Sequence, residues 1–280
     1  MAFPRTTVGG VSLPRMLIGT NWLFGWSHTG HAADCFIKDV HSKIDSFVPI
    51  LGAYLNHGVD AVMGPFSTHP GAAEKIQAAQ DALGKKIIII DTPVVNVDND
   101  PAARGETQAI FRRSAEIGSS FCLIHHASCE QLVNKNRRTM DRLPDYLKMI
   151  RDAGLIPGLS AHMPEVIQYC DLNGYDVETY IQIFNCLGFM MQVEIESVIR
   201  VIHEAKKPVM TIKPMAAGRT TPYVGLTFNW NVLRPIDMIT VGVLSKHEVE
   251  EDIEISLAAL EHRLPDLEGR ASPAAQSIIK

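Results

Sequence analysis

Imidazoles, one carboxylate and one amine carry most of the chemistry open to this sequence. His28, His31, His69, His125, His126 and His162 each fall at or beyond the end of a short apolar run, and Asp91 and Lys213 do the same. A carboxylate converging with several imidazoles can hold a divalent ion such as zinc, manganese or iron. The metal would then polarise a carbonyl or stabilise an enediolate. Asp91, His125 and His162 are the expected ligands, with Gln182 or His126 contributing. Such a centre suits an isomerase, lyase or hydrolase acting on a small polar molecule, carbonyl-bearing or phosphorylated. The plainer alternative is that these groups only hydrogen-bond. The sequence has no HExxH and no CxxC pair, and Asp91 within Asp91-Thr92-Pro93 can serve as a turn cap. His125 and His126 are neighbours, so on a strand only one of them would point inward.

Lys213 offers a second chemistry. A lysine whose pKa is lowered by burial can form a Schiff base. Gly218 and Arg219 follow it closely, and such a pair can cradle phosphate or be a surface arginine beside a turn glycine.

The elements that must position these groups are legible as alternating apolar runs and amphipathic segments. Strands are expected at Val11–Gly19, Val59–Met63, Lys85–Asp91, Phe121–Ile124, Ile156–Leu159, Tyr180–Phe184, Pro208–Ile212 and Met238–Gly242. The run of isoleucines in the third suits a strand buried on both faces. Helices are expected at Ser42–Asn56, Gly71–Leu83, Thr107–Ile117, Leu143–Ala153, Pro164–Asn173, Phe189–Ala205, Val224–Asn231 and Lys246–His262. Eight alternations over 280 residues point to one closed parallel (β/α)8 TIM barrel rather than an open doubly wound sheet. No GxGxxG follows the first strand to support the open sheet. A barrel of this kind works at the C-terminal ends of its strands, where all the groups above fall.

The long first loop carries Asn21, Trp22, Phe24, Trp26 and His28, which suits a lid, a substrate wall or a subunit contact. A net charge of -5 argues against a nucleic-acid partner. No apolar stretch is long enough to span a bilayer, and no signal peptide is expected at the N-terminus. Five scattered cysteines read as reduced thiols of a cytoplasmic protein. One domain over residues 1–280 is expected. Its 263–280 tail is either loose or packed in a homo-oligomer.

Several segments resemble the aldo-keto reductase superfamily. They are VGGVSLPRMLIGTNW at the start, Leu159-Ser160-Ala161-His162, Ile181-Gln182-Ile183-Phe184-Asn185, and Lys213-Pro214-Met215-Ala216-Ala217-Gly218-Arg219. Val241-Gly242-Val243 and the acids from Glu248 onward complete the set. The resemblance implies the same barrel and an NAD(P)H cofactor. It would place Ser160 and Gln182 on the nicotinamide, with Ser245 and Lys246 near a ribose phosphate. Ser245 reads equally as an N-cap. The family's catalytic aspartate, tyrosine and lysine are not matched: Met63, the tyrosine-free loop GPFSTHPG and Asp91 stand there. Only the histidine is matched, by His125. An enzyme that must protonate a carbonyl oxygen needs its acid, so ordinary aldo-keto reductase chemistry is not expected. Three functions stay open: a metal- or acid-base-assisted barrel enzyme, an atypical NAD(P)H-dependent oxidoreductase, and a non-catalytic barrel.

Overall fold

The structure, a computed structural model, describes residues 2–267, so most of the expected tail lies outside the described residues. Eight parallel strands close a barrel: β1 (Met16–Gly19), β2 (Ala61–Gly64), β3 (Ile88–Asp91), β4 (Phe121–Ile124), β5 (Ile156–Ala161), β6 (Thr179–Ile183), β7 (Val209–Ile212) and β8 (Met238–Val241). Each pairs with its sequence neighbours, and β8 returns to β1. The alternation of strand and helix is therefore the expected one. The helical boundaries follow expectation within a few residues in most cases. The largest differences are at Pro101–Glu116, where helix was expected from Thr107, and at Ile195–Glu204, where it was expected from Phe189.

The N-terminal segment is a hairpin followed by a strand, as the resemblance of VGGVSLPRMLIGTNW to the family's first hairpin and strand implied, but the bounds expected for the first strand do not hold. Val11–Pro14 is not part of the first barrel strand but pairs antiparallel with Arg5–Val8. This hairpin supplies Val8 and Leu13 to the apolar cluster inside the barrel, alongside Leu17, Ala61, Phe121, Met210 and Met238. It closes the N-terminal end. The break lies at Arg15, whose guanidinium donates to the Asp237 and Arg234 carbonyls at 2.9 Å each.

Period-two alternation sorts every strand into an inward and an outward set. Met63, Ile90, Leu123, Ile181 and Met210 pack inside. Val62, Ile89, Cys122, Ile124, Leu159, Ala161 and Val241 pack against the helices. Gly158 of β5 keeps the barrel narrow, since a Cβ there would stand 2.7 Å from Leu123 and 2.8 Å from the Thr179 carbonyl. With the bottom plugged, the open end is the one at the strand C-termini, where the loops diverge.

Candidate active site

A cavity of about 570 Å³ occupies that open end. Its inner wall is made by His125 and His126 after β4, Ser160 and His162 of β5 and Lys213 after β7, with Met63, Ile181 and Ile212 as an apolar floor. The loop after β1 covers it with Asn21, Trp22, Trp26 and His28. Of the five loop residues expected to form a lid, a substrate wall or a subunit contact, these four border the cavity, while Phe24 packs in the core. Part of the loop is a turn of helix, Asn21–Phe24, ended by Gly25 at φ 77°. A longer helix, His31–Val40, follows.

The three imidazoles of the inner wall form one cluster, in which His126 and His162 stack and His125 is tilted against His126. Ring centroids lie 4.2 Å apart for His125 and His126, and 4.0 Å apart for His126 and His162. Both His125 and His126 reach the cavity because β4 ends at Ile124. His125 caps a short helix that begins at His126, so strand alternation no longer applies to them. Burial, with His126 and Lys213 nearby, pulls His125 down to about 4. Burial and the same neighbours pull His162 down to about 3. All three rings are therefore neutral near pH 7 and can both donate and accept protons.

Lys213 is the unusual member. Its backbone is left-handed, with φ 59°, and Pro214 follows it, a position where such a conformation is disfavoured. The strain turns the side chain into the cavity. Nζ lies 3.1 Å from Nε2 of His28, which also faces the Asn21 amide at 3.3 Å. No carboxylate of the described residues pairs with this amine, and burial alone pulls it down to about 8. A buried cation is normally paired; this one meets only neutral imidazole.

Other expected site residues lie elsewhere. Asp91 is fully buried and faces the helix layer, because β3 turns Ile90 inward and Asp91 outward. Its Oδ1 accepts from the Ser67 amide at 3.1 Å, and burial raises its pKa. The expected metal triad of Asp91, His125 and His162 therefore does not assemble. Among the described residues no three His, Cys, Asp or Glu side chains converge as metal ligands. Gln182 faces outward by the same alternation and spends its amide on the His162 and Ile183 carbonyls. His31 sits 3.5 Å from Cys35 on the covering helix, and His69 packs against Phe24 and Trp26.

Gly218 borders the cavity, but Arg219 folds back over Phe189 at 3.8 Å and donates to the Ala216 and His28 carbonyls. It fixes the loop and presents no free fork to a phosphate. Ser245 is the N-cap of the helix Lys246–Leu260, in a capping box with Glu248. That satisfies the plainer of its two readings. The sequence reading did not assign Glu248, Glu251 and Asp252 to the site. They form the far edge of the cavity. Their spacing on one helical face was the available signal.

No protein-family model matches the sequence, and no curated protein matches it. Solved structures do. A Pseudomonas aeruginosa protein assigned as an aldo-keto reductase is similar over 91% of this chain and 96% of its own, at 13% identity and TM-score 0.66. The Klebsiella pneumoniae aldo-keto reductase in complex with NADPH is similar over 95% and 92%, at 15% identity and TM-score 0.59. The glycerol dehydrogenase of Gluconobacter oxydans is similar over 97% and 99%, at 13% identity and TM-score 0.58. The chain thus shares the (β/α)8 barrel fold with these proteins, as its sequence segments implied. At such identities the likeness concerns the fold, and function must be argued from the site. Among the described residues no helix is long and apolar enough to cross a membrane.

Proposed function

We propose that this protein is an enzyme of carbonyl chemistry, in which Lys213 forms an imine with a small polar carbonyl substrate. The observation that carries the proposal is a half-buried lysine that pairs with no carboxylate of the described residues, lining a cavity beside four imidazoles. At about 8, a tenth or so of the amine is neutral at pH 7, against a few parts in ten thousand for an ordinary lysine. The neutral Nζ adds to the carbonyl carbon. The carbonyl oxygen takes up two protons and leaves as water, giving a C=N bond. Once protonated, the imine draws electrons from the adjacent bond, which a neighbouring imidazole can help break by removing a proton. His28, 3.1 Å from Nζ, is the natural proton partner of the amine. This chemistry belongs to the isomerase or lyase type and needs no metal ligand from Asp91.

Reduction with sodium borohydride tests it. Pyruvate, dihydroxyacetone and glycolaldehyde, offered in turn, should leave a reduced adduct on Lys213 for at least one compound. The adduct would be located by peptide mass spectrometry. Adducts spread evenly over the surface lysines, with none enriched at Lys213, would count against the proposal.

A nicotinamide-dependent reductase is the second reading. The cavity position of Ser160 and His125 and the shared barrel favour it. The donor set fits only part of that cofactor. Ser160 can reach a nicotinamide amide, whereas Gln182 faces away. Lys213 is the only lysine or arginine among the described residues lining the cavity, and three acids line its far edge. A dinucleotide's phosphates would meet too little positive charge there. Trp22 and Trp26 border the cavity, so cofactor binding would quench indole fluorescence. NADH and NADPH titrations without quenching up to millimolar concentration would remove the second reading.

A further inference from the structure

The cavity has two chemically opposite ends. The inner end holds Lys213 and the imidazoles, and no carboxylate of the described residues lines it there, Glu130 lying behind His162. The far edge is built by Glu248, Glu251 and Asp252 of the helix Lys246–Leu260 and carries no lysine or arginine among the described residues. Asp252 is the informative member. It is 2% exposed, yet it borders the cavity, and its Oδ1 has no hydrogen-bond partner among the described residues. A buried carboxylate oxygen left in that state costs free energy that an arriving cation would recover. Burial, with Glu248 beside it, pushes the Asp252 carboxyl up to about 7.

The neighbouring wall suits a cation as well. A Cβ added at Gly242 would stand 3.3 Å from Trp22, so the absent side chain leaves room for the indole, which lines the same cavity as the acids. An indole and carboxylates lining one cavity can together seat an ammonium group, through cation–π attraction added to charge pairing. Glu248 already spends one oxygen on the Leu244 and Ser245 amides at 2.6 and 3.3 Å. Asp252 is therefore the acid with an unused acceptor.

We infer that this far edge is a subsite for a protonated amine, so that the substrate is an amino-bearing carbonyl compound held at both ends. The inference rests on the reading of Lys213 as the end that meets the carbonyl or anionic group. It adds a substrate class that the fold likeness does not imply.

Calorimetric titration of the full chain with ω-amino acids of three to eight carbons tests it, each compared with the unsubstituted carboxylate of equal length. At the length that spans the cavity, the amine should tighten binding at least tenfold. N-acetylation of the same amino acid should abolish the gain, a comparison that needs only the unmodified protein. Asp252→Asn should abolish it as well, with folding checked by circular dichroism. The subsite is overturned if no length shows an advantage, or if the advantage survives N-acetylation or the Asp252→Asn change. Reductive trapping distinguishes the two readings. An amine advantage without any adduct on Lys213 would defeat the imine and leave the subsite standing. An adduct without an amine advantage would do the reverse.

Discussion

The two ends of the barrel handle buried charge in opposite ways. At the closed end, Asp237 is fully buried and both its oxygens are satisfied. Oδ1 accepts from the Val209 amide at 2.9 Å and Arg234 Nη2 at 2.7 Å, while Oδ2 accepts from the Arg234 amide and Nε at 3.0 and 2.8 Å. Arg234 also donates to the Ala205 and Lys207 carbonyls and so ties the helix before β7 to the loop before β8. At the open end, among the described residues, Lys213 has no carboxylate and Asp252 has an oxygen without a partner. Charge that is paired within the protein holds the fold together. Charge left unpaired in a cavity is available to a ligand, and the protein bears its cost in stability.

The comparison breaks first, and with the largest effect, at Asp237. Asp237→Ala strands Arg234 and the Val209 amide, and should lower the unfolding free energy by about 3–5 kcal/mol. Urea denaturation measures this, and a loss below about 1 kcal/mol would mean that the closed end is not the anchor described. The mirror experiment is Lys213→Met. It should cut carbonyl trapping by at least about a hundredfold and leave stability equal or higher, because it removes an uncompensated charge.

Acid sharpens the contrast. In the folded protein His125 and His162 titrate near 4 and 3, below the usual value of about 6.5. Between these limits the unfolded chain takes up protons that the folded chain does not. Stability should therefore fall as pH drops below about 6.5 and stop falling, on account of these groups, only below their folded values. Thermal melts from pH 7 to 4 should show the decline, and His162→Asn should flatten it. Lys213 has the same sign in another window. Its folded value of about 8 lies below the usual value of about 10.4, so its cost is fully present below pH 8. That cost is relieved as pH rises from 8 towards 10. The smallest effect expected is that of Asp91→Asn. This side chain faces the helix layer, so trapping at Lys213 should change less than about twofold, with stability shifted by about 1 kcal/mol or less.

Much of the fold was legible because each barrel strand is a short apolar run followed by helical periodicity. The family resemblance of the opening segment implied a hairpin, but the apolar pattern merged its second strand with β1, because Val11–Pro14 runs into β1 without a turn residue other than Pro14. The site was legible only in part. Strand tips identified the right end of the barrel and placed His28, His125, His126, His162 and Lys213 in one cavity. They could not say which way a tip faces, since Asp91 and Gln182 sit one residue out of phase with the inward set. The acidic edge went unassigned because Glu248 and Glu251 suit the positive end of a helix equally well.

The central claim is that Lys213 is a half-buried amine without a counter-charge among the described residues, and its reactivity against pH tests that most directly. Competitive acetylation with trace acetic anhydride from pH 6 to 11, read peptide by peptide, gives the titration of each lysine. Lys213 should titrate near 8, well below exposed lysines such as Lys148, which is paired only with Asp152 on the surface. A Lys213 that titrates together with the surface lysines above 10 would contradict the account.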